Sequence, residues 1–146
     1  VTSANGVRVK MDRVLPEIGE EAFLADLEML ILAGGMDNTI ELTCSAQAKR
    51  VIAGAADKGC KVAAICAAPV VLAGMGLLNG RKAVCYPGME GSMGTADVQV
   101  GSKVVVDGSF ITGQGPGAAF DFALKLVEVL KGQAVMEQVK EEIHYQ

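Results

Sequence analysis

The chain alternates short, continuous apolar runs with longer segments in which apolar residues recur every three or four positions. The run at 28–33 ends in Gly34-Gly35 and is typical of a parallel strand that is buried on both faces of a sheet. The same reasoning predicts a second buried strand at 62–65. Shorter runs predict further strands at 83–86, 98–100, 104–106 and 110–112.

Apolar residues at helical spacing predict the helices. In the segment 42–58, Ala46, Val51, Ile52 and Ala55 recur along one face, and Gly59 provides a stop. Further helices are predicted at 69–75, 118–130 and 134–143, with a loop and a short helix at 16–26.

Two pairs of a polar residue followed by glycine predict hairpin turns. Asp107-Gly108 joins two of the predicted strands, and Asn5-Gly6 lies within residues 1–10, which have the pattern strand, turn, strand. The chain starts inside this hairpin and without a methionine. We therefore expect one domain over residues 1–146 that is incomplete at its N-terminus.

The alternation of buried strands and helices predicts an α/β fold, with a mainly parallel sheet covered by helices on both faces. Ligands bind such sheets outside the carboxyl ends of the strands. Gly34-Gly35, Cys66, Tyr86 and the segment 113–117 all follow predicted strands. We therefore expect these residues along one edge of the sheet.

Cys66 stands between a predicted strand and Ala67-Ala68-Pro69, where the proline fits the first turn of a helix. At such a corner, free backbone N–H groups and the positive end of the helix dipole favour thiolate over thiol. This is the geometry of a nucleophile elbow, with sulfur in place of the usual serine oxygen. The alternative is an inert core cysteine, because free cysteine often packs as a small hydrophobe.

The remaining special residues admit two interpretations each. The pair Gly34-Gly35 can direct backbone N–H groups into an oxyanion site shared with Ala67, or it can simply end a strand. Tyr86 can place a phenol near the sulfur, or it can pack at a strand end. The Gly-Gln-Gly-Pro-Gly segment at 113–117 lacks the residues of a phosphate or dinucleotide loop, which favours a rigid turn.

Composition narrows the functional classes further. The only histidine, His144, lies two residues from the C-terminus, which argues against a Cys–His pair and against a metal site. A net charge of −4 argues against a nucleic-acid surface. No apolar run approaches the roughly 20 residues that span a bilayer. The four cysteines form no CxxC pair, so we expect a reducing, cytoplasmic setting.

Three motifs in order carry a resemblance that covers essentially the whole chain: Leu32-Ala33-Gly34-Gly35, then Ala63-Ala64-Ile65-Cys66-Ala67-Ala68-Pro69, then 113–117 followed by Phe120-Asp121-Phe122-Ala123-Leu124. The chain resembles the ThiJ/PfpI superfamily, and within it the DJ-one-like branch of the Parkinson-associated protein deglycase. The resemblance implies a flavodoxin-like three-layer sandwich that forms a homodimer.

The resemblance also implies site roles. It assigns the reactive thiol to Cys66 and the oxyanion site to the backbone of Gly35 and Ala67. Many members have a histidine where this chain has Tyr86. The family's glutamate, which hydrogen-bonds the sulfur from an N-terminal strand–helix unit, has no counterpart here, and we expect none of Glu17, Glu20 and Glu21 to replace it.

The resulting hypothesis is a cysteine-dependent glyoxalase or protein deglycase that needs no metal or cofactor and acts on methylglyoxal or early glycation adducts. The alternative is a redox-sensing oxidative-stress protein or holdase chaperone that uses the same oxidisable cysteine. Peptidase activity, the third possibility, is disfavoured because the histidine partner is absent.

Overall fold

The computed structural model describes residues 1–3 and 5–146, and the side chains of all of these except residues 16 and 18. The N-terminal hairpin predicted from Asn5-Gly6 is reduced to an isolated antiparallel bridge between Thr2 and Arg8. The backbone N–H of Ser3 donates to the carbonyl of Val7 at 2.8 Å across the turn. Ala4, part of the predicted hairpin, lies outside the described residues.

The elements that follow alternate between helix and strand, as the apolar pattern predicted. The helices are α1 (Leu15–Ile18), α2 (Glu20–Ala25), α3 (Met36–Cys44), α4 (Ala46–Asp57), α5 (Pro69–Gly74), α6 (Ala119–Lys131) and α7 (Gln133–Glu142). The strands are β1 (Met29–Leu32), β2 (Lys61–Ile65), β3 (Lys82–Ala83), β4 (Asp97–Val98), β5 (Val104–Asp107) and β6 (Phe110–Gly113). Short 3₁₀ helices cover Glu90–Ser92 and Pro116–Ala118.

The main sheet has the order β1-β2-β6-β5. β1, β2 and β6 run parallel, and β5 joins β6 as the antiparallel arm of the hairpin predicted at Asp107-Gly108. Leu32 is level with Ala64, and Ile65 is level with Gly113. The carboxyl ends of the three parallel strands therefore meet at one edge, and the residues that follow them are neighbours in space.

Helices cover both faces of this sheet, which confirms the predicted layering. On one face, Ile52 of α4 and Leu72 of α5 belong to an apolar cluster that includes Val62 and Ala64 of β2. On the other face, Phe122 and Leu126 of α6 belong to a second cluster that includes Ala63 and Ile111. Successive residues of β2 thus serve opposite cores, as the two-residue period of a strand requires.

β1 departs from the prediction that it is buried on both faces. Leu30 and Leu32 point towards α4, but the side chain of Ile31, on the opposite face, is 54% exposed. β1 is an outer strand that pairs only with β2 among the described residues. On the same face as Ile31, Met29 still packs against the cluster that contains Phe122 and Leu126, so the exposure is confined to the later part of the strand. Beside Leu30 and Leu32 lies an apolar cavity of about 220 Å³, which Phe23 of α2 and Leu42 of α3 also line.

Two other element predictions need correction. The single helix predicted at 42–58 is wrong, because α3 ends at Cys44 and α4 begins anew, with the Ser45 hydroxyl accepting a hydrogen bond from the Ala48 N–H at 3.1 Å. The strand predicted at 83–86 is also wrong beyond Ala83. There the backbone turns away to meet the end of β2. No helix in the described part of the chain is both long and apolar enough to cross a membrane.

Candidate functional site

Cys66 occupies the corner between β2 and the turn that leads into α5. Its φ is +66°, in the left-handed region that a side chain with a Cβ rarely adopts. Two hydrogen bonds fix this conformation: the Cys66 N–H donates to the Gly113 carbonyl at 2.9 Å, and the Cys66 carbonyl accepts from the Tyr86 N–H at 2.8 Å. Backbone strain of this kind persists only where the surroundings impose it.

Gly34 approaches Cys66 so closely that no larger residue fits. A Cβ placed on Gly34 would lie 2.6 Å from the Cys66 Cβ, 2.9 Å from the Ile65 carbonyl oxygen and 3.3 Å from the Cys66 Sγ. The sequence pattern predicted a turn at Gly34-Gly35 without separating the two glycines. In the structure the left-handed backbone is at Gly35, whose φ is +94°, and Gly34 is the residue that approaches Cys66.

Two backbone donors near the sulfur have no acceptor among the described residues. They are the N–H groups of Gly35, the residue before α3, and of Ala67, the residue after Cys66. The Gly35 carbonyl is engaged at the start of α3, where it accepts from the Thr39 N–H at 2.9 Å. Ala67 is 2% exposed, whereas Gly35 is exposed to solvent. Both N–H groups are available to bind an oxygen atom of a ligand.

Tyr86 lies near Cys66, but not at the end of a strand as predicted. It stands three residues beyond β3, where its N–H anchors the turn to the Cys66 carbonyl. Its ring packs against Gly115, where an added Cβ would lie 3.2 Å from the ring Cδ2. The glycine-rich segment 113–117 therefore contacts the Tyr86 ring and forms the turn between β6 and α6 that its sequence favoured.

A cavity of about 250 Å³ opens at the thiol. Cys66, Ala67 and Tyr86 line it together with two methionines, Met36 at the start of α3 and Met89 in the loop after Tyr86. Sequence reasoning missed both methionines. The available signals were their positions, one directly after Gly34-Gly35 and the other next to Gly88.

The four cysteines lie in four different environments. Burial, together with the nearby charge of Glu90, raises the pKa of the Cys85 thiol to about 11. Cys60 donates its S–H to the Leu27 carbonyl at 2.9 Å. Cys44 is exposed at the end of α3, and Cys66 is half-buried beside the cavity. Cys66 is therefore the thiol that combines access with surrounding polar donors.

The histidine and the glutamates weighed as partners are not among the described residues that line the Cys66 cavity. His144 follows α7. Glu20 forms an ion pair with Arg50 at 2.6 Å, and that pair holds the pKa of Glu20 below its usual value. Within residues 1–3 and 5–146, no three His, Cys, Asp or Glu side chains converge in a way that could hold a metal ion.

Residues 1–129 match the sequence model of the DJ-1/PfpI family. The chain belongs to the DJ-1/PfpI family. It is 32% identical over 140 residues to Protein dj-1beta of Drosophila melanogaster. That alignment covers 95% of this chain and 73% of the fly protein. It is 30% identical over 132 residues to Deglycase PH1704 of Pyrococcus horikoshii. That alignment covers 90% of this chain and 76% of the archaeal protein.

The fold of the family is also evident in three dimensions. A solved mutant of the DJ-1 superfamily protein STM1931 from Salmonella typhimurium superposes with a TM-score of 0.90 at 30% identity. The superposition covers 100% of this chain and 77% of that one. The predicted family and its flavodoxin-like α/β fold, with a mainly parallel sheet, are thereby confirmed.

Proposed function

We propose that the chain is a cysteine-dependent glyoxalase or protein deglycase that acts on methylglyoxal or on early glycation adducts. Its family, and relatives that carry the name deglycase, support a deglycase or DJ-1-like role. The observation that carries the finer proposal is a half-buried thiol, held at a strained corner, beside two backbone N–H groups without an acceptor among the described residues. The homodimer implied by the family resemblance belongs to the same proposal.

The first step is addition to the aldehyde. The Cys66 thiol gives its proton to water. The sulfur then forms a bond to the aldehyde carbon, the carbonyl double bond opens, and the oxygen takes up negative charge. The N–H groups of Gly35 and Ala67 stabilise that charge, since donors already directed at a developing oxyanion need no reorganisation. Protonation of the oxygen gives a hemithioacetal.

The later steps move two hydrogens and add one water. Removal of the proton from the former aldehyde carbon and protonation of the ketone oxygen give an enediol. Protonation of the neighbouring carbon and loss of the proton on the first oxygen then give a lactoyl thioester on Cys66. Water then hydrolyses the thioester to lactate and restores the thiol, so the sequence needs no oxidant or reductant. Apart from the thiol, the Tyr86 hydroxyl is the exchangeable side-chain proton among the residues that line the cavity. We assign the proton transfers to Tyr86: its hydroxyl protonates the first oxyanion, and the phenolate that results takes the proton from the carbon.

The test is to incubate the protein with methylglyoxal and to measure lactate, because lactate distinguishes turnover from simple modification of lysine and arginine. Cys66→Ala should reduce lactate formation to background. Tyr86→Phe, which keeps the ring against Gly115, should lower kcat by about a hundredfold.

Cys44→Ala is the matched control, because Cys44 is an exposed thiol outside the cavity, and its rate should equal that of the wild type. Equal lactate formation by the wild type and Cys66→Ala would overturn the proposal.

The second candidate, oxidation sensing, rests on the same accessible thiol, because the unbonded N–H groups can also bind the oxygens of an oxidised sulfur. Intact mass after mild peroxide treatment separates the two roles. Oxygen added only at Cys66, in a protein that forms no lactate, would favour the sensor. Oxidation scattered over Cys44, Cys60 and the methionines would exclude it.

A further inference from the structure

No cationic side chain lines the Cys66 cavity in the part of the chain that the structure describes. Apart from the thiol, Met36, Ala67, Tyr86 and Met89 form the lining. Two thioethers, a methyl group and an aromatic ring therefore surround the position that a substrate's substituent would occupy. None of these groups can pair with a carboxylate, and the Tyr86 hydroxyl is their one hydrogen-bond donor.

The nearest charges on the same two segments are negative. Asp37 follows Met36 directly, and Glu90 follows Met89. The Gly88 N–H donates to the Glu90 carboxylate at 3.1 Å. Hydrogen bonds from its own N–H and from that of Gly88 hold the pKa of Glu90 below its usual value, so this carboxylate is charged at neutral pH. Its charge helps to raise the pKa of the Cys85 thiol, one residue from Tyr86.

The backbone N–H groups do not offset this preference for uncharged substituents. One oxygen of a bound aldehyde already uses the N–H groups of Gly35 and Ala67 when the sulfur adds to it. A carboxylate on the same molecule would lose part of its water against the thioethers and would meet no cation in the lining, where the Tyr86 hydroxyl is the one side-chain donor. The charges of Asp37 and Glu90 on the adjoining segments add to this cost. A neutral substituent meets no such penalty, because methionine is flexible enough to pack against groups of different shape.

We propose that Met36 and Met89 determine the specificity of the site, so that it takes uncharged aldehydes with an apolar substituent, such as methylglyoxal and phenylglyoxal, and excludes aldehydes that carry a carboxylate, such as glyoxylate. This inference rests on the proposed function, since it concerns the substrate of the same thiol. It can nevertheless be tested on the thiol itself, without turnover.

The experiment compares alkylation by iodoacetamide, which is neutral, with alkylation by iodoacetate, which carries a carboxylate. Peptide mass spectrometry gives both rates at Cys66 and, in the same molecule, at the exposed reference thiol Cys44. The ratio of the iodoacetamide rate to the iodoacetate rate should be at least about tenfold higher at Cys66 than at Cys44. Methylglyoxal should protect Cys66 from iodoacetamide, whereas glyoxylate at the same concentration should not.

Two variants introduce the missing cation. Met36 is 54% exposed, so Met36→Lys is compatible with the fold. Met89 packs partly against the main apolar cluster, and in Met89→Lys the stem of the lysine can keep that contact while its ammonium group reaches solvent. Each should lower the ratio at Cys66 towards that of Cys44. Met11→Lys adds the same charge at an exposed methionine outside the cavity and should leave the ratio unchanged.

Equal ratios at Cys66 and Cys44 in the wild type, or protection by glyoxylate as strong as that by methylglyoxal, would overturn the specificity proposal. A high ratio in a protein that forms no lactate would support the selectivity and overturn only the glyoxalase step. The two proposals can therefore fail separately.

Discussion

At the scale of single residues, the site depends on the missing side chain of Gly34 as much as on the thiol of Cys66. The Cys66 side chain occupies the space that a Cβ on Gly34 would need. The corner itself was predictable from the sequence, because an apolar run, a cysteine, two alanines and a proline leave few conformations for the chain. The contact between Gly34 and Cys66 was not predictable, because it depends on how β1 and β2, which are distant in sequence, lie side by side.

Gly34→Ala should therefore destabilise the protein by about 1–3 kcal/mol, because the atoms in the way include the rigid Ile65 carbonyl. The rate at which Cys66 is alkylated should also differ between Gly34→Ala and the wild type. Gly74→Ala is the matched control: a Cβ there meets nothing within 4 Å, and alanine favours the helix. Urea denaturation measures both variants. A Gly34→Ala protein as stable as Gly74→Ala would contradict the close approach.

At the scale of elements, most strands and helices were predictable, but two boundaries were missed. Ser45 is a residue type that favours helix N-caps, yet the apolar spacing on both sides of it favoured one continuous helix. The turn after Ala83 was missed for another reason. Its backbone is directed by the hydrogen bond from Tyr86 to Cys66, a contact between separate parts of the chain that no local pattern encodes.

The start of α4 gives a prediction at this scale. Ser45→Ala should lower the free energy of unfolding by about 1 kcal/mol, because it removes the acceptor of the Ala48 N–H. Ser45→Asp should keep most of the stability, since aspartate caps a helix equally well. The two variants can be compared by chemical denaturation. Equal losses for alanine and aspartate would mean that the side chain does not act as a cap.

At the scale of the whole molecule, the two faces of the sheet are covered unequally. The family and the α/β fold followed from three sequence motifs and the alternation of elements, and both are confirmed. The exposure of Ile31 did not follow, because an apolar run shows only that a strand favours burial. Whether a helix covers it depends on how far the neighbouring layer extends.

Two isoleucines test this asymmetry. Ile111, which is 0% exposed, packs with Phe122 and Leu126, so Ile111→Ala should destabilise the protein by about 2–5 kcal/mol. Ile31→Ala removes the same atoms from a side chain that is 54% exposed and should cost less than about 1 kcal/mol. The free energies of unfolding decide between them. A loss at Ile31 as large as at Ile111 would show that Ile31 is covered in solution.

The two hydrogen bonds that hold Cys66 also bear on how the protein folds. One comes from Tyr86 and the other goes to Gly113, both far along the chain from the cysteine, and such distant contacts form slowly because long loops must close first. The left-handed corner exists only once β6 has paired with β2. During refolding, the rate at which Cys66 acquires its native reactivity therefore reports the closure of the central sheet.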